Sequence, residues 1–274
     1  MSSAFAPLAL LLVLMGGGSF QRIGRLDHPA IRECSGIVAS RRHSGIFWVH
    51  NDSGNPPELF AVRRDGSLVR TFTVDVPNVD WEDIALDDQG HLFLGDIGNN
   101  KERLPLRAIY RLDEPDPAVE PEGPLHVSLA SFYRFPRGGR FDAESLFIDG
   151  GQAVLISKRL DGQPAELFKV TLDPPSSLLF PKLPVPIGEL PGFLEPATGA
   201  DLSADGKSLA VCSLKVARVY GRDADGGGGG GWKLRNEVRY EADQIEAIAW
   251  DGPDLILAGE GRGLYRITLP KARR

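Results

Sequence analysis

Short apolar runs, each closed by Gly, Asp or Pro, recur along nearly the whole chain. The clearest unit is Asp80–Asn100, DWEDIALDDQGHLFLGDIGNN: an acidic entry, an apolar strand, an Asp/Gly turn, a second apolar strand and a polar exit. Four other stretches repeat it, with first strands around Ser35-Gly36-Ile37, Glu144-Ser145-Leu146, Ala200-Asp201-Leu202 and Glu246-Ala247-Ile248. Their turns fall at Arg41–Gly45, Asp149-Gly150-Gly151, Asp205-Gly206 and Asp251-Gly252-Pro253. A third strand follows each unit: Leu59–Val62, Ile109–Leu112, Leu167–Val170, Val219-Tyr220 and Leu264–Ile267. Weaker fourth strands are predicted at Val69–Val74, Val127–Tyr133, Pro186–Leu190 and Glu237–Tyr240.

A repeat of about 50 residues with three or four short strands, and no amphipathic helix between copies, fits a β-propeller blade better than any α/β unit. The last copy has no fourth strand, whereas Gln21–Leu26 precedes the first copy with nothing to pair with. Placing that strand on the outer edge of the last blade closes the ring and removes exposed edges. The expectation is an all-β chain: one propeller over residues 20–270, with five four-stranded blades. A sixth stays open if Leu172–Leu190 hides a degenerate blade. Pro174–Pro186 holds five prolines and cannot be an interior strand. Pro115–Pro124 and the glycine run Gly226–Gly231 read as loops, and 271–274 as a disordered tail.

Residues 1–19 differ in kind. Phe5–Met15 is apolar and too short to span a bilayer, which takes about 20 residues. Gly16-Gly17-Gly18-Ser19 supplies the small residues of a cleavage site, so an export signal and a secreted or periplasmic protein are expected. A buried N-terminal element is the alternative. The net charge of −6 and the lack of a basic stripe argue against nucleic acid or an anionic membrane as partner. Cys34 and Cys212 fall in different blades and are expected as buried free thiols rather than a disulfide.

Alignment of the copies gives two columns at the strand entries. One reads Ser35, Glu82, Glu144, Ala200 and Glu246; the other, two residues earlier, reads Glu33, Asp80, Asp142, Thr198 and Gln244. Strand side chains alternate, so both columns share a face. Each hairpin brings the second strand's exit beside the first strand's entry. That adds His50, Asn51 and Asp52, then Asp96 and Asn99, then Lys158 and Arg159, then Glu260. A propeller gathers them all at one mouth of its channel.

Crowded carboxylates cannot all stay ionised without a counter-charge. A hard divalent cation such as Ca2+ could take oxygen ligands from Glu82, Glu144, Glu246, Asp96, Asn99, Asp80 and Asp142. Lys158, Arg159 or His50 could supply positive charge instead. A protonated carboxyl could serve as a general acid. Zinc of the usual N/S type is poorly supported by five histidines and two separated cysteines. The bland alternative is that Glu82, Glu144 and Glu246 only cap backbone N–H groups of the next blade. Trp81 reads as packing between blades, and Asp87, Asp149, Asp205 and Asp251 as turn residues at the far end.

HNDSGN at His50–Asn55, DWEDIA at Asp80–Ala85, GDIGNN at Gly95–Asn100, DAESL at Asp142–Leu146, TGADLSADG at Thr198–Gly206 and IEAIAWD at Ile245–Asp251 together resemble a group of secreted bacterial propellers. More distantly, the chain is similar to the SdiA-regulated, esterase-like phytase and strictosidine synthase/gluconolactonase propellers. Several of those bind Ca2+ in the channel through Glu, Asp and Asn, which the resemblance carries to Glu82, Glu144, Asp96, Asn99 and Glu246. Ala200 departs from the pattern and leaves the ring asymmetric.

No G-x-S-x-G elbow, H-E-x-x-H pair, phosphate-binding loop or dinucleotide fingerprint is present. Two readings follow. One is a monomeric binding propeller whose mouth holds a cation and a small-molecule, carbohydrate or protein ligand, with Asp52, Asn51, Arg159 and Glu260 contacting it. The other is a metal-dependent hydrolase of an ester, lactone or phosphoester, with Lys158 and His50 assisting.

Overall fold

In the computed structural model of the chain, the described residues are 18–99, 105–135, 142–222 and 231–270. They form five antiparallel sheets of four strands and no helix. Blade 1 holds β2 (Cys34–Ala39), β3 (Ile46–Asn51), β4 (Glu58–Arg63) and β5 (Leu68–Thr73). Blade 2 holds β6 (Trp81–Leu86), β7 (His91–Asp96), β8 (Arg107–Asp113) and β9 (Leu129–Tyr133). Blade 3 holds β10 (Ala143–Asp149), β11 (Gln152–Ser157), β12 (Glu166–Val170) and β13 (Val185–Glu189). Blade 4 holds β14 (Gly199–Leu202), β15 (Ser208–Cys212), β16 (Val216–Arg222) and β17 (Trp232–Arg239). Blade 5 holds β18 (Ile245–Asp251), β19 (Asp254–Gly259) and β20 (Gly263–Thr268), and takes its outer strand, β1 (Ser19–Arg25), from the opposite end of the described chain.

The inner strands β2, β6, β10, β14 and β18 adjoin in turn, and β18 returns to β2. This is a five-bladed β-propeller with its ring closed by the N-terminal strand. Among the described residues there is no sixth blade: Leu172–Leu190 supplies the outer strand of blade 3, with Pro186 opposite Phe168 on the uncovered edge. An edge is where a residue without an N–H can sit in a sheet. β1 begins at Ser19, which pairs with Thr268, so the last residue of the expected leader segment already belongs to the sheet. Residues 1–17, most of the glycine run and 271–274 lie outside the described residues.

Five apolar clusters fill the five gaps between blades. Trp48, Trp81, Ile84 and Tyr110 join blades 1 and 2, with Trp81 fully buried there as packing. Phe147, Val211, Tyr220 and Trp232 join blades 3 and 4, which explains why β17 runs further back than the sequence pattern suggests. The remaining gaps are filled around Phe93 and Leu155, around Tyr240 and Ile248, and around Phe60 and Ile256. Each blade therefore depends on its neighbours for the burial of its apolar faces. Both cysteines are buried and free, with Cys34 in the blade 5–blade 1 gap and Cys212 in the blade 4–blade 5 gap.

The far-end turns are held by their aspartates. Asp87 Oδ1 accepts from the N–H groups of Gln89 (2.9 Å) and His91 (2.8 Å), and Asp205 Oδ1 accepts from Lys207 N (3.0 Å). Asp149 pairs with Arg222 from blade 4, and Asp251 with Arg64 from blade 1.

Closure by β1 also stacks Phe20 between Tyr240 and Tyr265, with ring centroids 5.0 Å apart on each side. Phe20→Ala should cost about 2 kcal/mol, less than a fully buried Phe because the ring is half-exposed. Its melting temperature should fall by roughly 4–8 °C; an unchanged thermal melt would show that the ring does not depend on this stack.

Candidate functional site

The mouth column is built by a repeated irregularity of the backbone. In blades 1, 2, 3 and 5 the register between the first two strands shifts at Ser35, Glu82, Glu144 and Glu246. Each is the extra residue of a β-bulge, which bends the strand and re-aims one side chain. Blade 4 pairs regularly through Gly199–Cys212 and Ala200–Val211, so the copy without a polar residue in the column is the one without the bulge.

One position further along, the inner strands carry Gly36, Asp83, Ser145, Asp201 and Ala247. Asp83 is fully buried. Its Oδ2 accepts from Leu146 N of blade 3 (2.8 Å) and Ala200 N of blade 4 (3.1 Å), while Oδ1 accepts from Ile84 N (2.9 Å). One carboxylate of blade 2 thus bonds backbone of both blade 3 and blade 4. Asp201 does the same locally, accepting from Trp250 N of blade 5 (2.8 Å). Burial drives both pKa values up against these donors, Asp201 to about 7 and Asp83 well above the usual range. Asp83 and Asp201 thus cap backbone N–H groups of other blades, the kind of role considered above for Glu82, Glu144 and Glu246. An Asp inside an otherwise apolar inner strand was the available signal, since a buried carboxyl must find donors.

At the mouth the carboxylates divide. Ligand oxygens of Asp52, Asp80 and Glu82 lie within 4.8 Å of one another. Asp52 comes from the exit of β3, and the other two from the entry of β6. Glu82 is 4% exposed; Ser35 Oγ donates to its Oε2 (3.3 Å), and its Oε1 has no hydrogen-bond partner. Gly98 makes the room: a Cβ there would stand 2.1 Å from Glu82 Oε1 and 2.6 Å from an Asp80 oxygen. Burial first, then the charges of Glu144, Asp52 and Asp80, push the Glu82 pKa well up, with Lys158 opposing. Asp80 and Asp52 are also raised, each chiefly by burial.

Lys158 supplies the mouth's counter-charge. Its ammonium pairs with Glu144, and the fields of Asp142 and Glu82 help to hold its pKa above the ordinary value despite burial. Glu246 is raised to about 8 by burial and by the charges of Glu260 and Glu144.

Other predicted residues serve the backbone. Asp96 Oδ1 accepts from Asp80 N (2.7 Å), and its pKa is raised to about 6, mainly by burial. Asp142 Oδ1 accepts from Asn99 N across the blade 2–blade 3 gap (2.8 Å). Asn51 accepts from Arg32 N (2.8 Å) and Glu33 N (3.2 Å) and donates to Ala30 O (2.8 Å). Arg159 pairs with Asp161 and Glu166 on the rim.

His50 is sealed, with no solvent exposure and its ring edge-on to Trp81 at 5.7 Å. Nδ1–H donates to Asn51 O (3.1 Å), and burial lowers the pKa to about 4, so the ring is neutral at pH 7 and adds no positive charge to the mouth. Gly36 is required beneath it, because a Cβ there would lie 2.2 Å from Nε2.

No protein-family model matches the chain, and no curated protein matches its sequence. Among solved structures it is similar to a chain described as "Crystal Structure of Mitotic Checkpoint Complex", with a TM-score of 0.43 and 9% identity over 85% of this chain. The match spans 63% of that chain's length, less than two thirds of it. The fold assignment rests on the strand order itself, and no helix among the described residues is long and apolar enough to cross a membrane.

Two outcomes follow from this geometry. Asp83→Ala should cost about 3 kcal/mol or more, because it strands buried N–H groups on three strands; denaturant unfolding measures it, and a loss below about 1 kcal/mol would remove Asp83 from the axis. A carboxyl raised to about 8 in the folded state, against 4.5 unfolded, stabilises most below pH 4.5 and loses that contribution as pH climbs through 8. The metal-free protein should therefore melt progressively lower from pH 5 to pH 8, with a flatter profile in Glu246→Gln.

Proposed function

We propose that the chain is an exported binding propeller whose channel mouth holds one divalent cation, with calcium the best fit. The observation that carries this reading is the convergence of Asp52, Asp80 and Glu82 on one point with a buried, unpartnered Glu82 oxygen. Carboxylate oxygens without His or Cys suit a hard ion, and calcium tolerates the irregular, partly hydrated shell that three ligands at one edge of the mouth would leave. The same group costs free energy without an ion, as its raised carboxyl pKa values express. A bound cation still leaves the mouth rich in carboxylates. A neutral polyhydroxylated molecule or carbohydrate, or a protein loop bearing carbonyls or a positive charge, is therefore the ligand class favoured above the ion.

Calcium binding to the folded state alone should raise the melting temperature; a hundredfold excess over Kd corresponds to about 2.7 kcal/mol. For a chain of this size that is roughly 5–10 °C. EDTA should reverse the shift, and Glu82→Gln should abolish it. Affinity should rise with pH, since the ion displaces the proton that burial holds on Glu82. Lys158→Gln, which removes a neighbouring positive charge, should tighten binding. Absence of a calcium shift at any pH from 6 to 9 would leave the three carboxylates with only a structural role.

A metal-dependent hydrolase acting on an ester, lactone or phosphoester is the second reading. It draws on Glu246, whose carboxyl stays protonated to about pH 8 and could donate to a leaving group. Lys158 is committed to Glu144, and His50 is enclosed, so Glu246 is the better acid in this reading. Turnover lost in both EDTA and Glu246→Gln, with calcium binding intact in the variant, is the expected signature. Turnover surviving both treatments excludes it.

A further inference from the structure

The three acids that converge at the mouth do not share a blade. Asp80 and Glu82 come from one strand entry, and the backbone there fixes their spacing. Asp52 leaves the neighbouring blade at the exit of β3, so its approach to the other two depends on contacts made across the gap.

The connection between the blades makes such a contact. Asn78 lies half-buried on the crossover from β5 to β6. Its Nδ2 donates to Asp52 O (2.8 Å) and Asn51 O (3.1 Å), and its Oδ1 accepts from Trp81 N (3.1 Å). With two carbonyls at one end and an N–H at the other, the amide has one possible orientation. A single side chain thus grips the Asp52 loop with its nitrogen and the start of β6 with its oxygen. Asp52 N donates to Glu33 O (2.9 Å) and Asn55 Nδ2 to Asp52 O (3.2 Å), bonds that hold the loop to its own blade. Ser35 Oγ crosses the gap to Glu82 O (2.8 Å), but from β2 rather than from the loop. The Ser53 side chain also hydrogen-bonds Asp80. That contact uses a carboxylate, whereas the Asn78 bonds use backbone groups and leave all three acids untouched.

The residue type is demanding. An Asp at 78 would set its charge against two carbonyls. A Ser could still accept from the N–H three residues on, as Ser does in local turns, but is too short to span the gap as well.

From these contacts we infer that Asn78 is a positioning residue of the cation site, holding Asp52 of blade 1 within ligand distance of Asp80 and Glu82 of blade 2. The inference rests on the cation reading above. Asn78 itself touches no ion; without it the ion keeps its blade 2 ligands and loses the fixed approach of Asp52. Groups that orient a metal ligand are worth roughly 10–100-fold in affinity.

Calorimetric calcium titration of the full chain tests this. Asn78→Ser should raise Kd roughly tenfold or more, while the melting temperature in EDTA stays near the wild-type value because the Trp81 bond is kept. Asp52→Ala should raise Kd at least as much. Adding Asn78→Ser to Asp52→Ala should weaken binding no further, since the two residues act as one unit. Terbium bound in place of calcium should gain coordinated water in Asn78→Ser and in Asp52→Ala alike, read from its luminescence decay in light and heavy water. Asn78→Ala gives up the Trp81 bond too, and should bind calcium no more weakly than Asn78→Ser. A loss confined to Asn78→Ala would assign Asn78 to the start of β6 alone. Wild-type affinity in Asn78→Ser, or a full additional loss in the double variant, would overturn the inference and leave the cation site standing. No calcium binding by the wild type would remove both.

Discussion

Five inner strands meet at one axis, and the carboxylate of Asp83 is the group that lets them do so. A narrow ring of strands brings backbone N–H groups of different blades face to face with nothing regular to bond to. Asp83 answers for three of them, on β6, β10 and β14. The cost is a buried carboxyl whose pKa is driven upward. The return is a direct tie between the inner strands of blades 2, 3 and 4.

The mouth's chemistry follows from where the strands are irregular. Four bulges raise Ser35, Glu82, Glu144 and Glu246 out of the sheet register, and the unbulged blade 4 offers the Ala200 N–H to Asp83 instead. The break in the column is thus part of the axis. One ammonium, Lys158, pairs with Glu144 on the blade 3 side. The blade 1–blade 2 side gathers oxygens of Asp52, Asp80 and Glu82 within 4.8 Å of one another, and the positive fields of Arg107 and Lys158 act on Asp80 and Glu82 there. The ring, already broken in sequence at Ala200, thus has two halves with different electrostatics.

Blade edges pose a separate problem from the axis. Blade 5 borrows β1, so the first and last described strands are hydrogen-bonded to each other. Blade 3 has an outer strand exposed on all but Gly188, led in by a proline-rich connection. Prolines guard this edge against pairing with another chain while leaving its side chains open. Stability and surface chemistry are thus set at opposite ends of the sheets, the first at the axis and in the gaps, the second on the rim.

What the amino-acid sequence determined by itself was everything that depends on local period and repetition. Strand alternation, Asp/Gly turns and five copies in register were enough for the blades, for β1 as the closing strand and for the crowding of Glu82, Glu144 and Glu246 at one end. Tertiary structure decided what each polar group does there, because that depends on which way a bulge turns a side chain and which N–H lies opposite. Asp96, Asn51 and Asp142 stand out as ligands in a linear pattern; the fold also gives each of them backbone N–H groups to accept from. His50 reads as a source of positive charge at the mouth, yet a Gly36 in the adjacent strand lets it sink into the core, where burial lowers its pKa. Asp83, the residue after Glu82, ties the axis together; contacts spanning 63 and 117 residues of sequence create its role, and no local pattern encodes separations of that length.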